Sequence, residues 1–161
     1  MDFSIIRYGE RICTGIHRSM TIRHDKTREL WEAFMKRRNS IPGRISPLLF
    51  SMQKLPLRNG FPDIDQEFEK WAACETCYDA SIPDDMKRII IPAATWAVFP
   101  FSGNYQEFGQ LLERIYRGLL NEHGYMHSAQ LHFECFDEYH RTGKPGSREY
   151  LWIPVHKVMN R

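Results

Sequence analysis

The feature that most constrains this chain is a change of hydrophobic period that occurs twice, each time in the same order. Residues 88–101, from Arg88 to Phe101, are β-branched and aromatic, as strands prefer, and Ser102-Gly103 breaks the run. From Asn104 the apolar positions become Phe108, Leu111, Leu112, Ile115 and Leu119, the single buried stripe of a helix, with Gly124 just past its end as a stop signal. Strands over 132–139 and 148–155 follow, joined as a hairpin by a polar loop holding Gly143, Pro145 and Gly146. The first half repeats the order. Residues 11–21 read as a strand, and Asp25 is placed to cap a helix striped by Leu30, Trp31, Phe34 and Met35. Pro42-Gly43 ends that helix, and strands over 46–54 and 68–78 read as a hairpin with Asn59-Gly60 in the turn region.

The pattern predicts an α+β fold of two βαββ modules, about 5–78 and about 86–156, with residues 79–85 connecting them. The sheets are expected to be antiparallel, the two modules pseudo-symmetric, the helices outside and a ligand cleft between the modules. The chain has 161 residues, which suits one domain spanning 1–161 and burying roughly 70% of the surface of its unfolded form. Both halves are used by the βαββ pattern, so no DNA-binding domain is expected, and 22 Lys+Arg against 20 Asp+Glu argues against direct nucleic-acid binding.

No apolar run approaches the roughly 20 residues of a membrane span, and no secretory signal opens the chain, so a cytoplasmic protein with reduced cysteines is expected. Cys74 and Cys77 form a CxxC pair without a second metal-ligating pair, and residues three apart on a strand face opposite ways. They read as small apolar fillers, and no metal or other cofactor is predicted.

Strand alternation assigns faces. Leu151, Ile153 and Val155 suit packing on a helix, and Tyr150, Trp152 and Pro154 lie on the other side. In the partner strand His132, Glu134 and Phe136 share a face. With helices on one side of each sheet, the opposite side is expected to carry Glu134, Phe136, Tyr150 and Trp152 together. A lone acid among aromatics costs stability unless a partner or a ligand compensates it. Glu134 is therefore a pocket carboxylate, an exposed strand residue or a structural ion-pair partner. Trp71, in the place of the first module that matches Trp152, and Phe50, in the strand matching Glu134's, are candidate pocket walls, although strand tryptophans also serve as packing.

Several segments together resemble a known family. They are Lys70-Trp71-Ala72-Ala73-Cys74-Glu75, Ile82-Pro83-Asp84-Asp85-Met86, the run from Ile91 to Phe99, Ser102-Gly103, Phe133-Glu134 and Trp152-Ile153-Pro154-Val155. Their order and spacing are similar to the GyrI-like small-molecule-binding domain, which also serves as the effector-binding domain of AraC- and MerR-type regulators. The match runs from about Lys70 to Val155, with the first half fitting by fold pattern. The resemblance implies two βαββ modules around an aromatic pocket, with a floor glutamate mapping onto Glu134. It implies a stand-alone member binding amphipathic, cationic or cyclopropane-bearing compounds, or hydrolysing the last through Glu134. Trp96 departs from the pattern, where tyrosine is commoner. The competing expectation is a docking module for a protein partner, such as a topoisomerase or a separate regulator, with a closed or filled cleft.

Overall fold

The computed structural model describes every residue except 1, 55, 60, 130, 138–147 and 160–161. Strand β1 (Ser4–Tyr8) leads into β2 (Arg11–Met20), then helix α1 (Thr27–Arg37), which a 3-10 turn (Arg38–Ser40) extends. Next come β3 (Arg44–Lys54), the short pair β4 (Leu57–Arg58) and β5 (Phe61–Pro62), and β6 (Phe68–Thr76). The second half runs β7 (Lys87–Ile91), β8 (Ala94–Phe101) and α2 (Tyr105–Arg114), followed by a π-helical turn (Ile115–Leu119) and a last helical turn α3 (Leu120–Glu122). Strands β9 (Tyr125–His127), β10 (Leu131–Asp137) and β11 (Glu149–Lys157) complete the described chain.

The architecture is α+β, with antiparallel strands and the two expected helices. The strands of both halves join through β3 and β10 into one nine-stranded sheet, ordered β1-β8-β11-β10-β3-β6-β2-β7, with β9 added beside β11. The order reads the same from either end once β2, β3 and β6 are matched to β8, β10 and β11.

The predicted strand over 88–101 is two strands. Pro92 has no N–H to donate, and the chain breaks there: β7 pairs with β2 while β8 crosses to pair with β1 and β11. This crossing makes the sheet curl. A flat sheet would hold β1 and β2 six strand spacings apart, about 29 Å. Yet Gly9 and Glu10 alone link them, and such a link spans at most about 11 Å. Pro92 and Ala93 impose the same closure between β8 and β7. Ile6 of β1 and Ile89 of β7, from opposite edges, accordingly pack against one cluster.

That cluster, the inner core, joins Phe50, Met52, Trp96, Phe133, Cys13 and Cys135. On the other sheet face α1 buries Leu30 and Phe34 against Met20, Leu49, Ala72 and Cys74, and the second helix buries Leu111, Ile115 and Leu119 against Phe99, Leu151 and Ile153. Fully burying each such side chain contributes about 1.5–3 kcal/mol. Cys74 is thus a core filler as expected, while Cys77 is half-buried.

Helix starts differ in quality. Asn104 caps α2, its side chain accepting from Glu107 N–H at 2.9 Å. Asp25 sits one residue before the α1 cap position, Lys26, and accepts from Thr27 N–H at 2.9 Å. Gly15 is required by packing, since a Cβ there would lie 2.0 Å from the Ala72 carbonyl oxygen. Gly118 adopts φ +125° inside the π-helical turn, a conformation that favours glycine. The hairpin loop with Gly143, Pro145 and Gly146, and Gly60 of the earlier turn, lie outside the described residues. No helix among the described residues is long and apolar enough to cross a membrane.

Candidate ligand-binding site

The two helices lie side by side on one face of the sheet and leave a cleft of about 1320 Å³ between them. One wall is α1, with Thr27, Arg28, Trp31 and Met35 turned inward. The other is α2 and its π-helical turn, with Tyr105, Phe108, Gly109, Leu112 and Tyr116. A π turn bulges a helix locally and recurs at functional sites. Here it falls where Tyr116 lines the cleft and stacks on His127, ring centroids 5.1 Å apart.

The floor follows from register, because residues directly opposite one another on antiparallel strands share a face. Lys70, Gln53 and His132 form one cross-strand row. Two residues along, Ala72, Ser51, Glu134 and Leu151 form the next. Cys74, Leu49 and Phe136 form a third, and Glu149 of β11 lines the cleft beside it.

The electrostatics of this floor are set by desolvation. Burial raises the Glu134 carboxyl above its ordinary value, with Lys70 opposing. Burial pushes Glu149 up to about 7, the Glu134 charge adding to the effect and Lys70 again opposing. Glu149 thus holds its proton into the neutral range, beside a Glu134 carboxyl that burial raises on the adjacent strand. His132 is driven the other way, to about 3, by burial first and then by Lys70 and His127, so it is a neutral imidazole. It bonds Gln53 Nε2 through Nε2 at 3.1 Å. Lys70 Nζ donates to Thr27 Oγ1 at 3.1 Å, tying the floor to the start of α1. Among the described residues, no group of three His, Cys, Asp or Glu side chains is placed to hold a metal ion.

Of the residues named from sequence, the structure brings Glu134 and Phe136 together in the cleft. Tyr150 and Trp152 lie on the far side of the sheet, away from the helices, as expected, but the placing of Glu134 and Phe136 with them is corrected: Trp152 pairs with Phe133 and Tyr150 with Cys135, which turns Glu134 and Phe136 to the helix side, where the cleft lies. Leu151 is Glu134's partner instead. Phe50, opposite Cys135, and Trp71, opposite Met52, belong to the far side as well. Alternation within each strand was read correctly; the offset between β10 and β11 is a relation between strands that composition does not measure.

The far side is filled. Phe133 stacks on Trp152 at 5.4 Å and meets Trp96 edge-on at 5.1 Å. Arg11, 7% exposed, places its guanidinium 3.7 Å from the Tyr8 ring centroid and 4.6 Å from that of Trp152. His17 stacks on Trp71 at 4.5 Å. Sequence reasoning missed Glu149, Lys70 and the helix aromatics Trp31, Tyr105 and Tyr116 as cleft residues. Helical spacing held the clue, since Tyr105, Gly109, Leu112 and Tyr116 recur at intervals of four, three and four on one face.

Comparison with known proteins identifies the fold and the family. The chain is 30% identical over 133 residues to the transcriptional regulator BrlR of Pseudomonas aeruginosa, covering 82% of this chain and 47% of BrlR, and so spans about half that relative's length. SAV2435, solved bound to tetraphenylphosphonium, has a similar fold, with a TM-score of 0.62 at 14% identity over 97% of this chain and 94% of that one. The C-terminal domain of EcmrR is similar with a TM-score of 0.70 at 12% identity, covering 98% of each chain. The family model for the GyrI-like small molecule binding domain matches residues 1–156, and the chain belongs to that family.

Proposed function

We propose that the cleft between α1 and α2 binds amphipathic aromatic cations, with Glu134 and Glu149 as counter-charge and Trp31, Phe108 and Phe136 as apolar walls. The observation that carries this reading is charge segregation. The whole chain has a formal charge of +2, yet the cleft is lined by six carboxyl groups, Asp25, Glu32, Glu113, Glu134, Asp137 and Glu149, against Arg28 and Lys70. Arg28 and Glu32 offset each other at 3.0 Å, as do Glu113 and Arg117 at 2.6 Å, and the acidic excess persists without them. A partly desolvated acidic cleft concentrates cations, and ring faces add about 0.5–2 kcal/mol for a cation that reaches them. The capture of tetraphenylphosphonium, a lipophilic cation, by SAV2435 supports the same chemistry in a similar fold. An open cleft also favours a ligand over the docking-module expectation.

The test is titration with tetraphenylphosphonium, wild type against Glu134→Gln. This substitution keeps the side chain's shape and removes its charge. Affinity is expected to fall by about 1.5–3 kcal/mol, the scale of a charge-assisted contact, while a neutral planar aromatic still binds. Equal affinity of both proteins for the cation would defeat the assignment.

A second reading has its own observation. A carboxyl group raised above its ordinary value by burial is suited to general acid work. On that reading Glu134 protonates the conjugated carbonyl of a cyclopropane-bearing compound as water opens the ring. Incubation with such a compound, followed by analysis for ring-opened product, decides it: turnover lost about 10²–10⁴-fold in Glu134→Gln supports hydrolysis, and no product from wild type excludes it.

A further inference from the structure

The cleft floor holds a second polar feature that a simple cation does not use. Lys70, Gln53 and His132 stand opposite one another on β6, β3 and β10, all on the cleft face. Lys70 and Gln53 line the cleft, and His132 is buried behind Gln53. The single bond joining Gln53 and His132 leaves Gln53 Oε1 and His132 Nδ1 buried without a partner among the described residues. Buried polar atoms in that state forfeit their hydration with nothing in return, and Gln53, which lines the cleft, is where a ligand can supply a partner.

Lys70 points the same way. Its ammonium group spends one hydrogen on Thr27 Oγ1, and its charge repels any cation in the cleft. For a site whose ligand carried nothing but positive charge, Lys70 would be a liability. For a ligand with an oxygen acceptor it is an anchor. Turning the Gln53 amide over keeps the bond to His132, with Oε1 accepting from Nε2–H, and brings the amide N–H donors to the side where Oε1 stood. Lys70 and Gln53 then offer two converging donors on neighbouring strands.

We propose that the cognate ligand is two-ended: an aromatic cation held at the Glu134–Glu149 end of the cleft, and a hydrogen-bond-accepting oxygen, carbonyl or carboxylate, held at the Lys70–Gln53 row. Glu134 and Lys70 lie on strands separated by β3 and in rows two residues apart, so their backbone positions sit about 12 Å apart across the sheet. This inference rests on the reading of the cleft as a cation site and adds the second pole to it.

A matched pair of dyes tests it. Tetramethylrosamine and tetramethylrhodamine methyl ester carry the same delocalised cation, and the second adds an ester carbonyl. Wild type is expected to bind the ester dye about tenfold more tightly, the scale of one charge-assisted hydrogen bond. Lys70→Met is expected to reverse this, weakening the ester dye and tightening the rosamine, because the repelling charge has gone. A misfolded variant would lose both dyes, and its thermal melt, recorded alongside, identifies it. Lys70→Gln, which retains a donor for Thr27, then carries the comparison. Equal wild-type affinity for the two dyes, or a Lys70 variant that shifts both by the same factor, overturns the proposal. Failure of wild type to bind either dye is a different result: it removes the cation site itself, and the second pole with it.

Discussion

The two faces of the same sheet do opposite things with the same kinds of residue. On the inner face, Phe50, Phe133, Trp96 and Trp152 close over one another, and the buried cation there, Arg11, belongs to the protein. On the outer face Trp31 meets Phe136 at 5.2 Å on one wall and Tyr116 stacks on His127 at 5.1 Å on the other, but the two walls stand apart, and the floor between them carries the acids Glu134 and Glu149. The inner face shows how this chain holds a guanidinium: by ring faces at 3.7 and 4.6 Å. The outer face presents aromatic and acidic groups with the central space left open. Rings packed on all sides stabilise the fold, whereas walls held apart by secondary structure leave ring surface to a ligand. Aromatic content alone therefore does not locate the site; the spacing of the backbone beneath it does.

Replacing Phe133 by alanine breaks the comparison most forcefully. Its side chain is fully buried between Trp96 and Trp152, and its loss is expected to cost about 3–5 kcal/mol, read as a lower midpoint in chemical denaturation. Under conditions where the variant remains folded, cation affinity should be close to wild type. A large affinity loss in the folded variant would mean that the two faces are coupled.

Next in size is Glu149→Gln, measured against pH. In the folded chain Glu149 keeps its proton up to about pH 7, while the reference value is 4.5. The folded state therefore binds more protons across that window, and stability falls as pH rises through it. The variant is expected to be more stable than wild type by about 1–3 kcal/mol at pH 8 and equal to it at pH 4. His132 works in the opposite sense: neutral when folded down to about pH 3, against 6.5 as reference, it removes stability as pH falls below about 6.5. His132→Gln should flatten that acid limb. If both variants track wild type at every pH, the desolvated floor described here is wrong.

The same titration reaches the ligand. Affinity for a permanent cation should rise as pH is raised through about 7, as Glu149 becomes charged, and the rise should disappear in Glu149→Gln. Isothermal titration in buffers of different ionisation enthalpy would show the protons released on binding.

Gly109→Ala is the mildest probe. Gly109 lies within α2 on the cleft wall, and a Cβ there meets nothing within 4 Å. Alanine is expected to stabilise the helix by about 1 kcal/mol, a rise of about 2–4 °C in melting temperature. No gain would imply that the backbone at Gly109 is not helical in solution.

The βαββ order was legible because periodicity is a local property. The stripe Phe108, Leu111, Leu112, Ile115, Leu119 needs no knowledge of its partners, and neither does the β-branched run before it. Glu134 was legible as an acid among aromatics. What stayed hidden were the relations between segments. The break at Pro92 makes sense once β7 and β8 are seen to have different partners. Whether Glu134 shares a face with Trp152 and Tyr150 depends on the register between β10 and β11. Glu149 and Lys70 acquire meaning from the rows they complete across the sheet.

The crossing of the leading strands has a mechanical consequence. β1 opens the described chain but lies along β8, from Ser4 against Val98 to Tyr8 against Ala94. Force applied at the N-terminal end would therefore not be received by the half of the molecule that follows in sequence. It would load β8 in shear, along a ladder of hydrogen bonds, and β8 carries Phe99, on which the second helix and its π turn rest. Whatever pulls on the start of this chain pulls on the wall of the cleft that holds Tyr116.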